Sequence, residues 1–236
     1  MLRFLPESLK EKLRRRAGAI TPGARMQNLR RAGFSPARII DAGAYQGDWA
    51  VLARETFPTA HLLLIEPQPR MAARLQAVCS RIGQARLESA LLGRESSDVR
   101  FAIAASNSRI VYQGYQPGPG ETVLDLPVRR LDDIARETGF DRAEFLKLDL
   151  QGHELEALAG AGALFGLAEV ILTEVSLIPV GGVPVIADVI AAFSEKGYRL
   201  YDIFGSNHRK RDGALWQTDL LFVRLNSPLV ASSDWA

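Results

Sequence analysis

The chain has 236 residues, of which 47% are apolar, and a formal net charge of +2 at neutral pH. This length and composition are typical of one principal globular domain, and the single cysteine, Cys79, excludes the class of small disulfide-rich domains. No apolar stretch reaches the length of a membrane span and no secretory signal is recognisable, so we expect a cytoplasmic protein without a membrane span.

The charge is distributed unevenly along the chain. Residues 1–31 contain nine Lys or Arg against two Glu, a net charge of +7, which leaves −5 for the remainder. Leucines at positions 2, 5, 9 and 13 have helical spacing. We predict that residues 1–35 form a basic amphipathic helical leader packed on the body, with docking on an anionic membrane or a partner as the alternative. Residues 36–226 are predicted to form the main domain, and residues 227–236 a tail.

From Arg38 onward, short apolar runs alternate with segments of helical periodicity. This alternation predicts βαβ units and a mainly parallel sheet. Strands are predicted over 38–41, 61–66, 86–91, 145–149 and 170–175, and helices over 48–56 and 185–196. Gly197 is expected to end the second of these helices as a C-cap residue.

Two later segments depart from this alternation. Residues 98–128 contain short β-type pieces separated by Gly and Pro, which predicts a β-rich insertion with a mobile loop. The β-type runs 198–204 and 218–224 are joined by a polar stretch, which predicts an antiparallel hairpin at one edge of the sheet. Ordinary dehydrogenase Rossmann domains lack such a hairpin.

The clearest local motif follows the first predicted strand, where Ile-Ile-Asp-Ala-Gly-Ala-Tyr-Gln-Gly occupies residues 39–47. Glycine permits positive φ angles and lets a ligand approach the backbone beside a helix N-terminus. The acid Asp41 precedes Gly43, and Tyr45 stands where a dinucleotide-binding fingerprint has its second glycine. A carboxylate at this strand end can instead help to place the cationic amino acid part of S-adenosylmethionine.

Further polar residues follow the next strands. Glu66 ends the second predicted strand, 23 residues after Gly43, where an acid can accept hydrogen bonds from ribose hydroxyls. Asp149, Gln151 and His153 follow the strand predicted over 145–149. Because ligands of open α/β sheets bind beyond the carboxyl ends of the strands, we expect these side chains to face one crevice.

Four motifs occur in order along the chain, namely DAGAYQG, IEPQP, KLDLQGHELEALAGA and LTEVS. Together they resemble the FkbM-type family of S-adenosylmethionine-dependent methyltransferases, over roughly residues 38–224. The resemblance implies an α/β fold with a Rossmann-like seven-stranded sheet, mostly parallel, and an antiparallel C-terminal hairpin. It also implies S-adenosylmethionine as cofactor and methyl transfer to a hydroxyl of a sugar or other small molecule. The cofactor-binding residues that it implies are Asp41, Gly43, Ala44, Tyr45, Gly47, Glu66, Ser89, Ala90 and Asp149.

A hydroxyl acceptor must lose its proton during methyl transfer, which requires a positioned base. His153 is a candidate because the ordinary pKa of histidine is about 6.5, although a structural role at a helix start is the alternative. Asp149 is the second candidate, with placement of substrate or cofactor as its other role, and Glu174 is the third, with a strand-end salt bridge as its alternative. One histidine among scattered carboxylates is a weak metal-binding pattern, so no metal is predicted. Trp216 and Gln217 could line an acceptor pocket, or Trp216 could pack at the sheet edge.

Two other functional classes share some of these features. An NAD-type oxidoreductase also has a strand, a glycine turn and a distal acid, but Tyr45 and the terminal hairpin argue against it. A non-catalytic nucleoside-binding scaffold protein would retain the fold without the acceptor chemistry. We expect a small-molecule acceptor, such as a saccharide or natural product. We expect no nucleic acid, because the basic leader is short, the body is acidic and no stacking aromatic residues interleave with a basic groove. The sequence leaves open whether the chain forms a homo-oligomer.

Overall fold

A computed structural model describes residues 21–104, 108–111, 114–179 and 182–232. The first 20 residues of the predicted leader lie outside the described residues. Helix α1, Pro22–Arg31, begins after Thr21, whose Oγ1 accepts a hydrogen bond of 3.2 Å from the backbone N–H of Ala24. Its residues Met26 and Leu29 are buried in the core. The described part of the leader therefore packs on the body, while the division into leader, body and tail stays a prediction.

Helices and strands alternate through most of the chain. The strands are β1 Arg38–Ala42, β2 His61–Ile65, β3 Ala85–Glu88, β4 Leu91–Leu92, β5 Ser97–Ile103, β6 Arg109–Val111, β7 Thr122–Arg129, β8 Phe145–Leu148, β9 Val170–Ser176, β10 Tyr198–His208 and β11 Leu215–Arg224. The helices that follow α1 are α2 Asp48–Thr56, α3 Ala72–Ile82, α4 Leu131–Thr138, α5 Glu154–Ala159, α6 Gly162–Leu167 and α7 Ile186–Glu195.

The main sheet has seven strands in the order β10-β11-β9-β8-β1-β2-β3. The five strands from β9 to β3 in this order are parallel, whereas β11 is antiparallel to both β9 and β10. The predicted fold class, with its antiparallel C-terminal hairpin at one edge, is confirmed. The central strands form because their apolar runs are buried on both faces, as Ile39 and Ile40 of β1 illustrate with no exposed surface.

Two cores lie on opposite faces of this sheet because successive strand residues point to opposite sides. Ile40, Leu63 and Leu146 pack on one face against residues of α4, α5, α6 and α7. Ile39 and Leu62 pack on the other face against residues of α1, α2 and α3. The two helical layers leave the carboxyl ends of the parallel strands for a site.

The predicted β-rich insertion forms a second sheet with the order β4-β7-β5-β6. It has its own apolar cluster, which includes Leu91, Phe101 and Val128. The prediction of one continuous strand over 86–91 is wrong. Strand β3 ends at Glu88, and Leu91 belongs to β4, where it pairs with Val128 of β7. The apolar run is shared between two sheets, and periodicity does not reveal this change of partner.

The chain returns to the core after β11. Ser227 caps a short turn over Pro228–Val230 and donates a hydrogen bond from its Oγ to Oε1 of Glu169. Leu229 and Val230 are partly buried against the core. The first residues of the predicted tail thus contact the body, and residues 233–236 lie outside the described part. None of the described helices is long and apolar enough to span a membrane.

Candidate active site

The turn between β1 and α2 requires a glycine at position 43. Gly43 has a φ of +79°, and a Cβ atom there would lie 2.0 Å from the carbonyl oxygen of Asp149. The backbone N–H groups of Gly43 and Ala44 both donate to the carbonyl oxygen of Ile65, at 2.9 and 3.1 Å. The turn is therefore fixed between the end of β2 and the segment that follows β8.

Glu66 braces this turn from the end of β2. Its Oε2 accepts a hydrogen bond of 2.8 Å from the backbone N–H of Tyr45, which has a φ of +45°, and its Oε1 accepts one of 3.0 Å from Gln68. Burial raises the pKa of Glu66, although these hydrogen bonds oppose the rise. A carboxylate oxygen can accept two hydrogen bonds, so each oxygen of Glu66 retains capacity for a ligand.

Lys147 of β8 contacts carboxylates at the ends of two neighbouring strands, β1 and β8. Its Nζ lies 3.2 Å from Oδ1 of Asp41 and 3.4 Å from Oδ2 of Asp149, and it donates a hydrogen bond of 3.0 Å to the carbonyl oxygen of Gly43. Burial opposes the charge of Lys147, but Asp41 and Asp149 together raise its pKa above the ordinary value. Burial raises the pKa of Asp41, and Lys147 opposes that rise. One buried cation thus links the turn between β1 and α2 to the loop after β8.

The loop between β8 and α5 is shaped by Glu154. Oε1 of this buried side chain accepts hydrogen bonds from the backbone N–H groups of Leu150, at 2.8 Å, and Gly152, at 3.1 Å. Burial raises the pKa of Glu154 to about 7. Gln151, between these two amides, has a φ of +55°, which is rare for a residue other than glycine. Glu154 therefore stabilises an unusual backbone conformation that directs Gln151 toward the site.

A hydrogen-bond network connects three strand ends around Glu174. The side-chain amide of Gln151 donates to Oδ1 of Asp149 at 3.0 Å and to Oε2 of Glu174 at 3.3 Å. Gln217 of β11 donates from Nε2 to the same Oε2 at 3.0 Å. Burial, together with the nearby carboxyl groups of Asp149, Asp219 and Glu154, raises the pKa of Glu174 to about 9. Glu174 is consequently protonated at neutral pH.

His153 precedes α5 and faces the same space. Burial lowers the pKa of its imidazole, and the charge of Glu156 opposes this effect. The ring is therefore neutral at pH 7, with one nitrogen able to accept a proton. Within the described ranges no residue forms a hydrogen bond with the His153 side chain.

These groups surround a cavity of about 320 Å³ at the carboxyl ends of the parallel strands. Five of the predicted cofactor-binding residues line it, namely Gly43, Tyr45, Glu66, Ala90 and Asp149. All three catalytic candidates, Asp149, His153 and Glu174, line the same cavity. The insertion contributes Phe101, Ser108 and Ile110 to its wall.

The other four predicted cofactor-binding residues do not line the cavity. Asp41 is wholly buried beside Lys147, and Ala44 is buried beneath the turn. Gly47 precedes α2 with a φ of +81°, where a Cβ atom would crowd Val78. Ser89 is exposed after β3, and its Oγ lies 3.4 Å from the carbonyl oxygen of Glu66.

Sequence reasoning missed several residues of the site. It assigned no role to Lys147 or Glu154, and it did not place Asn207 or Phe101 in the cavity wall. A lysine within the buried run Phe145–Leu148 was the available signal for Lys147, because buried lysines need a partner. Of the two residues that were predicted to line an acceptor pocket, Gln217 lines the cavity and Trp216 does not.

In the part of the chain that the structure describes, no three His, Cys, Asp or Glu side chains are arranged to hold a metal ion.

The strand order and the glycine turn after β1 form the kind of α/β site that binds a ligand beyond the carboxyl ends of its parallel strands. The chain belongs to the FkbM methyltransferase family, because the model of the methyltransferase FkbM domain matches residues 41–200. This match confirms the resemblance found in the sequence and the predicted cofactor. It also argues against the NAD-type oxidoreductase.

Individual relatives are distant. The 2-O-methyltransferase NoeI of Sinorhizobium fredii (strain NBRC 101917 / NGR234) is 26% identical in an alignment of 156 positions that covers 58% of this chain and 63% of NoeI. The match thus spans less than two thirds of that relative. Among solved structures, PH1948 of Pyrococcus horikoshii, described as a candidate RNA methyltransferase, has a TM-score of 0.50 and 9% identity over 86% of this chain and 83% of that chain. The N-terminal domain of EvdMO1, solved in the presence of SAH and D-fucose, has a TM-score of 0.46 and 14% identity over 86% and 82% of the respective chains.

Proposed function

We propose that this protein transfers the methyl group of S-adenosylmethionine to a hydroxyl oxygen of a small molecule such as a saccharide. The observation that carries the proposal is that one cavity is lined by Gly43 of the glycine turn, by Glu66 and by His153. The name of the relative NoeI, a 2-O-methyltransferase, supports oxygen as the atom that receives the methyl group.

The residues of the turn fit the cofactor. The missing side chain of Gly43 lets the Asp149 backbone pack against the turn, and the remaining hydrogen-bonding capacity of Glu66 suits the two ribose hydroxyls. Tyr45 and Asp149 lie on the wall near the turn, and Ala90 is assigned to the adenine side. We assign indirect roles to Asp41, Ala44, Gly47 and Ser89, which shape or support this wall from behind.

When it is bound, S-adenosylmethionine supplies an activated methyl group on a positively charged sulfur, which leaves as a neutral thioether. The chain must hold the acceptor oxygen in line with that group and take up its proton. His153 is suited to accept the proton because its ring is neutral at pH 7 and makes no hydrogen bond within the described residues. Glu174 is unsuited, since its pKa of about 9 keeps it protonated. Asp149, which is tied to Lys147 and Gln151, is assigned to positioning.

Titration calorimetry with S-adenosylhomocysteine, S-adenosylmethionine and NAD tests the cofactor. We expect micromolar binding of both adenosyl-sulfur compounds and none of NAD. Release of S-adenosylhomocysteine is then measured with a panel of hydroxylated acceptors, and O-methylated products are identified by mass spectrometry. Cofactor binding without turnover on any acceptor would favour the non-catalytic scaffold protein.

A further inference from the structure

The polar groups around Glu174 in the cavity bear on the charge of the acceptor. We propose that the carboxyl group of Glu174, fixed by the amides of Gln151 and Gln217, binds the acceptor through its hydroxyl groups, and that the cavity accepts uncharged polyols and rejects anionic acceptors. This inference rests on the proposed function and specifies the substrate class of the same site.

The hydrogen-bond network leaves oxygen atoms free to bind hydroxyl groups. Both amide groups donate to Oε2 of Glu174, at 3.3 Å from Gln151 and 3.0 Å from Gln217. Within the described residues, Oε1 of Glu174 and the amide oxygens of Gln151 and Gln217 accept no hydrogen bond. The amide oxygens of Gln151 and Gln217 therefore remain available to accept hydrogen bonds from a hydroxylated ligand, and the protonated carboxyl group of Glu174 can donate one.

The loop between β8 and α5 fixes the position of Gln151 beside Glu174. Its backbone has a φ of +55°, which costs free energy, and Glu154 stabilises the loop by accepting hydrogen bonds from the flanking residues Leu150 and Gly152. Gln217 reaches Glu174 because β11 pairs with β9 at the adjoining residues, where Asp219 is opposite Glu174. The carboxyl group of Glu174 thus has a fixed orientation before any ligand binds, which reduces the entropy cost of binding.

The charges on the cavity wall disfavour an anion. Glu66 and Asp149 line the cavity together with Glu174, whose protonated carboxyl group adds no positive charge, and among the described residues that line it there is no Lys or Arg. Lys147 lies behind the wall, where Asp41 and Asp149 already offset its charge. A phosphate or carboxylate on the acceptor would lose its hydration without gaining a cationic partner among the described residues of the wall, which opposes binding.

The part of the wall that the insertion supplies is mainly apolar. Phe101 and Ile110 line the cavity there, together with the polar residue Ser108. A saccharide presents hydroxyl groups at its edges and C–H groups on its ring faces, so it matches a wall that has both polar and apolar parts. An acceptor with several negative charges has no such match.

The test uses the full chain and matched acceptors, namely methyl glycosides of neutral hexoses, the corresponding 6-phosphates and the corresponding uronic acids. Turnover is followed as S-adenosylhomocysteine release, and acceptor binding is measured by calorimetry on the S-adenosylhomocysteine complex. We expect kcat/KM for the neutral glycosides to exceed that for the anionic forms by about 100-fold or more, with the same order in affinity. Equal or better use of phosphates or uronic acids would overturn the inference.

Two variants test the assigned residues. Glu174→Ala should raise KM for the neutral glycoside at least tenfold and leave the affinity for S-adenosylhomocysteine unchanged. Gln217→Arg should reduce the preference for neutral over anionic acceptors at least tenfold, because it places a cation in the wall. Glu137→Gln, which removes an exposed carboxylate paired with Arg129, is the matched control and should change neither value. An unchanged preference in Gln217→Arg, or an unchanged KM in Glu174→Ala, would overturn the assignment.

The two proposals fail in different ways. If S-adenosylhomocysteine binds but no hydroxylated compound is methylated, the proposed function is wrong. If hydroxyl groups are methylated on anionic and neutral acceptors alike, the proposed function stands and only the charge selection is wrong.

Discussion

Lys147 and Asp41 form a buried ion pair, in which Nζ lies 3.2 Å from Oδ1 and the Asp41 side chain has no exposed surface. Neither carboxylate oxygen of Asp41 has a hydrogen bond of good geometry among the described residues. The attraction of Lys147 is therefore the main compensation for burying that charge. The same ammonium group lies 3.4 Å from Oδ2 of Asp149, which lines the cavity. Lys147 therefore affects both the stability of the sheet and the position of Asp149.

We predict that Lys147→Met lowers the free energy of unfolding by about 3 to 5 kcal/mol, because it leaves a buried carboxylate without its cation. Urea denaturation followed by circular dichroism measures the change. The double variant Lys147→Met with Asp41→Asn should recover a substantial part of the loss, since the unpaired charge is then removed. If the double variant is no more stable than Lys147→Met alone, the ion pair is not the reason for the loss.

We predict that Gly43→Ala lowers the affinity for S-adenosylhomocysteine at least tenfold. The added Cβ atom would lie 2.0 Å from the carbonyl oxygen of Asp149, so the turn or the loop must move. Gly139→Ala is the matched control, because Gly139 has a φ of +78° but no atom within 4 Å of an added Cβ. Each variant should lose about 1 kcal/mol of stability from backbone strain, Gly43→Ala should lose more because of the clash, and only Gly43→Ala should lose binding. Equal effects on binding would show that close approach is not the cause.

We predict that Glu66→Ala weakens binding of S-adenosylhomocysteine severalfold or more, because charge-assisted hydrogen bonds to the ribose are lost. Calorimetry measures the affinity, and circular dichroism checks that the fold is retained. Glu88→Gln, which changes an acid on neighbouring β3 that pairs with Arg86, should bind normally. Unchanged affinity in Glu66→Ala would contradict the ribose assignment.

We predict that His153→Ala lowers kcat about 100-fold or more and leaves cofactor affinity unchanged, since general bases contribute roughly 10² to 10⁴ in rate. Burial lowers the pKa of His153, so the acid limb of the wild-type pH profile should lie below the ordinary value of about 6.5. The variant should lose this limb. If His153→Ala retains normal turnover while Asp149→Asn does not, Asp149 is the base.

We predict that stability falls as pH rises from 5 to 9. Glu154 and Glu174 have pKa values of about 7 and about 9 in the folded chain, against 4.5 when unperturbed, so the folded chain binds more protons in this range. Each group can lower the free energy of unfolding by at most about 1.4 kcal/mol per pH unit between its two pKa values. Glu174→Gln should flatten the decline between pH 7 and 9, as measured by urea denaturation at each pH. A decline as steep as in the wild type would contradict the raised pKa.

The main sheet could be predicted because each of its central strands is a short apolar run between helical segments. The helix predicted over 48–56 has those bounds in the structure, since a glycine precedes it and its apolar residues share one face. The terminal hairpin was predicted to be shorter than it is. The end of β10, residues 205–208, and the start of β11, residues 215–217, flank the polar turn and were assigned to the loop. Hydrophobic periodicity detects buried strand residues and misses exposed ones.

The candidate site could be predicted only where a motif marks it. Gly43, Glu66 and Asp149 stand at strand ends, so their shared cavity follows from the parallel topology. The role of Lys147 depends on two carboxylates from different segments, and the burial of Glu154 depends on how the loop before α5 folds back over it. Neither contact has a signature in local spacing, because both arise from tertiary structure.

The insertion between β4 and α4 has a small apolar cluster of its own, yet it supplies Phe101, Ser108 and Ile110 to the cavity. Substitutions on its three longer strands can therefore alter the acceptor wall without disturbing the two cores of the main sheet. This separation makes the insertion a natural target for directed evolution, in which libraries confined to β5 and β6 would redesign acceptor choice while the cofactor turn is left intact.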